Sequence, residues 1–220
     1  MLSVLRAQEA EALPVVTLSW ARTAAGAIAA PGGARTAVSG SESLLLTHRL
    51  RAMHAGILVG IQTLLSDNPL LSVRLVDGPQ PRPIVLDSRL RIPASARLLS
   101  RADMLPWIFH AEGSEGAGAA SAELERAGAR LFAVPCGPGG LDLRAVLAVL
   151  RGQGIASVMV EGGARVLQSF IAAALASQAV ITTSPSLLEG ILGPDIPQFV
   201  ATEKEPYGQD TVLWGRFPPR

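Results

Sequence analysis

Between Gly56 and Arg74 the chain reads Gly-Ile-Leu-Val-Gly-Ile-Gln-Thr-Leu-Leu-Ser-Asp-Asn-Pro-Leu-Leu-Ser-Val-Arg, an order of residues suited to holding a phosphate. A short apolar strand at Ile57–Val59 meets Gly60, and a helical stretch opens with Thr63 in its first turn. That layout aims backbone N–H groups, one hydroxyl and the positive end of a helix dipole at one spot. The polar turn Ser66-Asp67-Asn68-Pro69 follows, with Arg74 just beyond it. A second turn, Glu161-Gly162-Gly163, lets backbone approach a diphosphate closely, and the helix opening at Ala164 presents its N-terminus. Glu161 also suits that helix end as a negative charge favoured by the dipole. Lys204 is the only lysine, so cationic contacts fall to arginine, whose planar fork donates two hydrogen bonds at once.

Composition narrows what such a site could serve. At 220 residues the chain has length for one large domain or two small ones. Apolar residues make up 49% and charged residues 17%, which excludes a disordered chain. A net charge of +1 argues against a dedicated nucleic-acid binder. The single cysteine, Cys136, excludes an internal disulfide framework and any Cys-rich zinc site. His48, His54 and His110 lack ligand spacing, so no metal is expected; His48 and His54 read as ordinary polar residues on a helix and at its end. Met1 to Leu13 contains Arg6, Glu9 and Glu11 and no apolar core, unlike a signal peptide. The greasy stretch Phe170 to Thr183, broken by Ser177 and Gln178, is too short to span a bilayer. A cytoplasmic protein without a membrane partner is expected.

Strands are predicted at Val15–Ser19, Ile57–Val59, Ile84–Asp87, Trp107–His110, Leu131–Val134, Ser157–Val160, Ala179–Thr183 and Thr211–Trp214. Ala24 to Ala34 reads as a loop, and Ser39-Gly-Ser-Glu42 has the spacing of a capping box opening a helix through His48 and Arg51. Further helices are predicted at Ala122–Ala127, Leu143–Arg151 and Ala164–Leu175, with Ala111 to Ala120 as a surface loop. Strands alternating with helices, several of them continuous apolar runs, imply an α/β fold with a mostly parallel sheet covered on both faces. The lone late strand is expected to be antiparallel. Residues 1–13 read as an extension and 14–220 as a single domain.

Three segments accompany Gly56–Arg74: Leu50-Arg51-Ala52, Arg82-Pro-Ile-Val-Leu-Asp-Ser-Arg-Leu-Arg91 and Val158-Met-Val-Glu-Gly-Gly163. In that order they resemble the reductase family of riboflavin biosynthesis, from about Pro14 to Arg216. The resemblance implies a dihydrofolate reductase-like fold, a homodimer, NADPH as cofactor and a phosphorylated ribosylaminopyrimidine as substrate. It implies cofactor contacts at Ala21, Thr63, Asp67, Ser88 and the turn and helix start Gly162, Gly163, Ala164, Arg165, Val166 and Leu167. Arg89 or Arg91, beside Ser88, would be placed to meet a 2′-phosphate. By the same resemblance Arg51 and Arg74 hold the ribose phosphate, Leu71 touches substrate, and Glu161 is the substrate-side acid with a catalytic role.

The chain departs from the family around the first strand. Where relatives commonly read Lys-x-Ala-x-Ser-x-Asp-Gly, it has Ser19-Trp-Ala-Arg-Thr-Ala-Ala-Gly26, so Ser19 replaces lysine, Thr23 serine and Ala25 aspartate. A later Ser-x-Trp-Ile-Thr element reads Arg35-Thr-Ala-Val-Ser39, which puts Arg35 and Ala37 at the serine and tryptophan positions. Archaeal-type members also lack the lysine. These changes leave two alternatives open: a paralogous reductase of another heterocyclic or pterin-like substrate, and a nucleotide-binding regulator without turnover. The paired His-x-Glu and Pro-Cys-x-x-Cys zinc signature of a deaminase half is absent.

Overall fold

The computed structural model describes residues 13–31, 38–113, 117–137, 139–197 and 199–218. Its elements run β1 (Val15–Thr23), β2 (Ala27–Ala29), α1 (Ser41–Ala52), β3 (Gly56–Gly60), α2 (Ile61–Asp67), β4 (Arg82–Leu86) and a 3₁₀ turn (Arg97–Ser100). Then come β5 (Trp107–Ala111), α3 (Ala117–Arg126), β6 (Arg130–Val134), β7 (Cys136–Gly137), β8 (Gly140–Leu141), α4 (Leu143–Gly152) and β9 (Ser157–Val160). The chain closes with α5 (Ala164–Ala172), β10 (Gln178–Ser184), β11 (Ile191–Leu192), β12 (Val200–Tyr207) and β13 (Asp210–Arg216).

One nine-stranded sheet, in the order β12-β13-β10-β1-β9-β3-β4-β5-β6, organises them. The seven strands from β10 to β6 are mutually parallel, and β13 and β12 extend the sheet antiparallel. Alternation along each strand sends side chains to opposite faces. On one face Val16, Leu18, Leu58, Ile84, Phe109 and Val158 pack under Val146, Leu147 and Leu150 of α4 and Leu167 and Phe170 of α5. On the other, Ile57, Val59, Val85 and Ile108 meet Ile61, Leu64 and Leu124, while Met159, Val180 and Val212 meet Leu46 and Leu50 of α1. Both faces are therefore apolar, which is why β3 and β9 read as unbroken hydrophobic runs. Among the described residues no helix is long and apolar enough to cross a membrane.

Several expectations are corrected. The capping box does not form: α1 is capped by Gly40, whose N–H donates to Asp210 Oδ2 at 2.7 Å, and Ser41 Oγ turns to Glu42 Oε2. An acceptor from the β12–β13 hairpin replaces the local one. The lone late strand is one arm of that hairpin, turning at Gly208 with φ +60°. Its partner, β12, was illegible because both its faces are wet and Glu203, Lys204, Glu205 and Pro206 break any apolar alternation. Part of the Ala111 to Ala120 loop is helix, because α3 already opens at Ala117. Within the Gly/Ala/Pro stretch, Ala27–Ala29 pairs with β11. Arg35 and Ala37 lie outside the described residues.

Candidate active site

Parallel strands bring the carboxyl ends of β1, β9, β3, β4 and β5 to one edge, where open α/β sheets bind ligands. Two strand-to-helix turns stand side by side there. Gly60 leads from β3 into α2 and Gly162-Gly163 leads from β9 into α5. Val166, in the first turn of α5, packs against both: a Cβ at Gly60 would lie 2.6 Å from Val166 Cγ2, and one at Gly162 would lie 2.7 Å from Val166 Cβ. Those two glycines are thus demanded by helix packing. Gly163 differs, because a Cβ there would meet only Thr63 Oγ1, at 3.7 Å, leaving open room in front of the turn. Thr63 ties the turns together by accepting a hydrogen bond from Gly163 N at 3.2 Å. The N–H groups of Ala164 and Arg165, the first two of α5, have no intrahelical acceptor, whereas Val166 N already donates to Gly163 O at 3.0 Å.

Beside it is a cavity of about 570 Å³ lined by Ser88, Arg89, Ala111, Cys136, Gly137, Gly140 and Arg165. Asp87, fully buried, accepts from Ile92 N at 2.9 Å and from Arg91 Nε at 3.3 Å. That bend faces Arg89 into the cavity and turns Arg91 back onto its own loop. Of the two arginines beside Ser88, only Arg89 lines the space.

A second group forms where α1 meets the end of β9. Glu161 N donates to Leu58 O, which fixes the carboxylate on the α1 side of the sheet. Arg51 grips it with both prongs, Nε to Oε1 at 2.8 Å and Nη2 to Oε2 at 2.6 Å, and Nη1 donates to Ser72 O at 3.1 Å. The two side chains are only 12% and 16% exposed. Burial works against the Arg51 charge, but Glu161's charge and hydrogen bonds outweigh it and raise its pKa. Leu71, buried with a left-handed φ of +50°, and Arg74 follow on the segment that Ser72 anchors.

His48 and His54 are not ordinary polar helix residues. Both are buried. His54 Nδ1 donates to Leu50 O, its Nε2 accepts from Thr17 Oγ1, and Thr17 accepts in turn from Gln178, so the ring is a neutral strut beneath the site. His48 Nδ1 accepts the Arg74 N–H at 3.1 Å, which leaves its proton on Nε2. Burial, together with the Arg51 and Arg74 charges, pushes His48 down to about 4. Read as an ordinary polar helix residue, His48 carried one signal of its place at the site, the spacing of three residues from Arg51, which sets both on one helix face.

The structure thus gathers Thr63, Gly162, Gly163, Ala164 and Val166 at one turn, Ser88 and Arg165 on the adjoining cavity, and Arg51, Leu71, Arg74 and Glu161 in the second group. Leu167 is wholly buried in the core, so only its backbone belongs to the turn. Asp67 ends α2 and accepts from Ser66 Oγ at 2.8 Å. Ala21, half-buried on β1, pairs with Thr182 and is separated from β3 by β9. Among the described residues no cluster of His, Cys, Asp or Glu could hold a metal ion.

Comparison with known proteins places this geometry. Residues 14–206 match the RibD C-terminal domain. The riboflavin biosynthesis protein RibD of Bacillus amyloliquefaciens is 34% identical over 214 residues, covering 91% of this chain and 57% of that protein. The 2,5-diamino-6-ribosylamino-4(3H)-pyrimidinone 5′-phosphate reductase of Methanothermobacter thermautotrophicus is 35% identical over 181 residues, 80% of each chain. The chain therefore spans little more than half of the bacterial relative and most of the archaeal one. Among solved structures, Acinetobacter baumannii RibD superposes with a TM-score of 0.79 at 22% identity, over 93% of this chain and 58% of that one. Dihydrofolate reductase of Enterococcus faecalis superposes with a TM-score of 0.52 at 14% identity, over 92% and 96%, which shows a shared dihydrofolate reductase-like fold. With the match running through β1, both strand-to-helix turns and β10, this chain belongs to the RibD C-terminal domain family.

Proposed function

We propose that this chain is an NADPH-dependent reductase that converts a phosphorylated ribosylaminopyrimidine to its ribityl form on the way to riboflavin, working as a cytoplasmic homodimer with residues 14–220 as one domain. The observation that carries the proposal is the Thr63–Gly163 tie, which sets an open turn at a helix N-terminus two residues from Glu161 and its Arg51 partner. Similarity to the bacterial riboflavin biosynthesis protein and to the archaeal pyrimidinone 5′-phosphate reductase supports it.

The residues fit the cofactor. Gly163 leaves room where a side chain would obstruct a diphosphate. Ser88, Arg89 and Arg165 give the neighbouring cavity a hydroxyl and two cationic forks, a lining suited to a ribose 2′-phosphate. When bound, the nicotinamide supplies hydride. Opening the substrate's ribose to an imine-like form makes C1′ electrophilic, and the protein's task is chiefly to orient the two partners. Arg74, with the remaining Arg51 donors, would hold the substrate phosphate. Glu161, anchored by Arg51, would present a carboxylate edge to donors on the pyrimidine. Ser19 and Ala25 offer no ionisable proton source, and that observation favours a second reading in which a related heterocycle is the preferred substrate.

Two measurements test the assignment. Expression should restore growth to a riboflavin auxotroph lacking its reductase, and the purified protein should oxidise NADPH when given the aminopyrimidine precursor. Binding of NADPH without rescue or turnover would sink the reductase reading and leave a nucleotide-binding protein.

A further inference from the structure

The segment from Pro69 to Arg74 carries Leu71 and Arg74 yet belongs to no helix or strand. Leu71 keeps its left-handed backbone although it is a leucine, a state that persists only where the surroundings over-determine it. Much of that determination comes from behind the segment, away from Arg51 and Glu161. Arg101, buried, donates from Nη1 to Leu71 O at 2.7 Å and from Nη2 to Gln80 Oε1 at 3.2 Å. Asp103 holds the other side of the guanidinium at 3.1 and 2.6 Å, so the fork has one orientation. Gln80 then clasps Val73 twice, accepting from its N–H at 2.9 Å and donating to its carbonyl at 2.7 Å. Asn68 Oδ1 accepts from Arg97 N at 2.8 Å, pinning the start of the segment to the same stretch of chain. On the site side, Ser72 O takes Arg51 and the Arg74 N–H takes His48. The segment is thus suspended between two sets of fasteners.

We propose that Arg101, oriented by Asp103 and acting with Gln80, is a positioning residue that sets Leu71 and Arg74 at the height where substrate is held. The proposal rests on the reductase reading above. Gln80 and Arg101 form one continuous polar chain from Asp103 to the backbone of Val73, which leaves that backbone little freedom to drift. Loss of either clasp frees the segment on one side only, so the cofactor turn at Gly162–Gly163 is left intact.

The test uses Arg101→Ala, Arg101→Lys and the half-buried Gln80→Leu. Arg101→Ala and Gln80→Leu should each raise KM for the aminopyrimidine substrate about tenfold, the scale of one lost charge-assisted or paired hydrogen bond. The NADPH dissociation constant should stay within about twofold, since the cofactor contacts lie elsewhere. Arg101→Lys keeps a cation for Leu71 O but loses the fork, and should fall between. Amide hydrogen exchange at Val73 and Arg74, measured without substrate, should quicken in all three variants. A lowered Tm with KM and exchange unchanged would reduce the network to general stability and overturn the proposal. Should the wild-type protein fail to turn over that substrate, the reductase reading falls by itself. The Arg74 exchange rate then decides alone, because Gln80→Leu removes the Val73 N–H acceptor outright: faster exchange at Arg74 upholds the positioning role and unchanged exchange overturns it.

Discussion

Arg51 and Arg74 entered as a matched pair, but the structure gives them different surroundings. Arg51 has both prongs on Glu161 and a third donor on Ser72 O, so most of its fork is already committed. Arg74 is exposed on its segment, so Arg74→Ala tests the substrate-phosphate contact without breaking the Arg51–Glu161 pair. One charge-assisted contact of roughly 1.5–3 kcal/mol corresponds to a rise in KM of about one to two decades, with NADPH affinity held. If NADPH binding weakens instead, the role given to Arg74 is wrong. At Ser19 and Ala25 the expectation concerns rate. Where ionisable groups assist proton transfer they contribute typically ~10²-fold or more. Ser19→Lys with Ala25→Asp should thus raise kcat on the riboflavin precursor, and an inert double variant would favour another substrate. His48 sets a pH dependence. Its folded value of about 4 lies below the ordinary ~6.5, so its contribution to stability is present above the higher value and lost as pH falls through the lower one. His54, lowered by burial, acts in the same direction. Urea midpoints should decline from pH 6.5 toward 4, and a flat profile would contradict a neutral buried His48. Residue types singled out the turn at Gly163, and the family resemblance singled out Arg51 and Glu161. Neither signal could show that Arg91 folds back on Asp87 while Arg89 faces the cavity, because both sit equally close to Ser88 in the chain.

Between elements the decisive contact is Val166 against two glycines, and it separates requirements that look alike in sequence. Gly60→Ala and Gly162→Ala should each destabilise by about 1–3 kcal/mol, the usual cost of overpacking. Val166→Ala should rescue the first, because the next atom facing Gly60 is 4.0 Å away. It should not rescue the second, because the offending atom at Gly162 is Val166 Cβ itself, at 2.7 Å. Gly163→Val should leave Tm nearly unchanged and weaken NADPH binding, which calorimetry can measure; unaltered binding would remove the diphosphate from this turn. Strand-to-helix turns were readable because an apolar run, a glycine and a new helical period follow one another. The β12–β13 hairpin was half readable, since β13 buries Val212 and Asp210 whereas β12 has no buried face to impose a period. The start of α1 was misplaced for a related reason: the N–H of its N-cap, Gly40, is met by Asp210, far along the chain, and local spacing cannot announce a distant acceptor.

At the scale of the whole molecule, α/β alternation gave the parallel sheet and its two covered faces, while strand order was beyond it. Nothing local to Val15–Thr23 says that this strand sits between β9 and β10, since every parallel apolar strand in such a sheet reads alike. That placement has a consequence in time. The first strand of the domain pairs with Ser157 and beyond on one side and with Gln178 and beyond on the other. Its polar tether, Thr17 to Gln178, also closes across 161 positions. During synthesis β1 must wait, apolar and unpaired, until nearly the entire domain has emerged, and every one of its ladder bonds closes a long loop. Folding should accordingly be slow for the size of the chain and open to capture by other hydrophobic surfaces before its last step. In pulsed hydrogen exchange during refolding, amides of Leu18 and Trp20 should gain protection after those of Leu58 and Val85. Protection of β1 ahead of β3 and β4 would show that the centre of this sheet is assembled first, rather than left as the gap that the oldest part of the chain returns to fill.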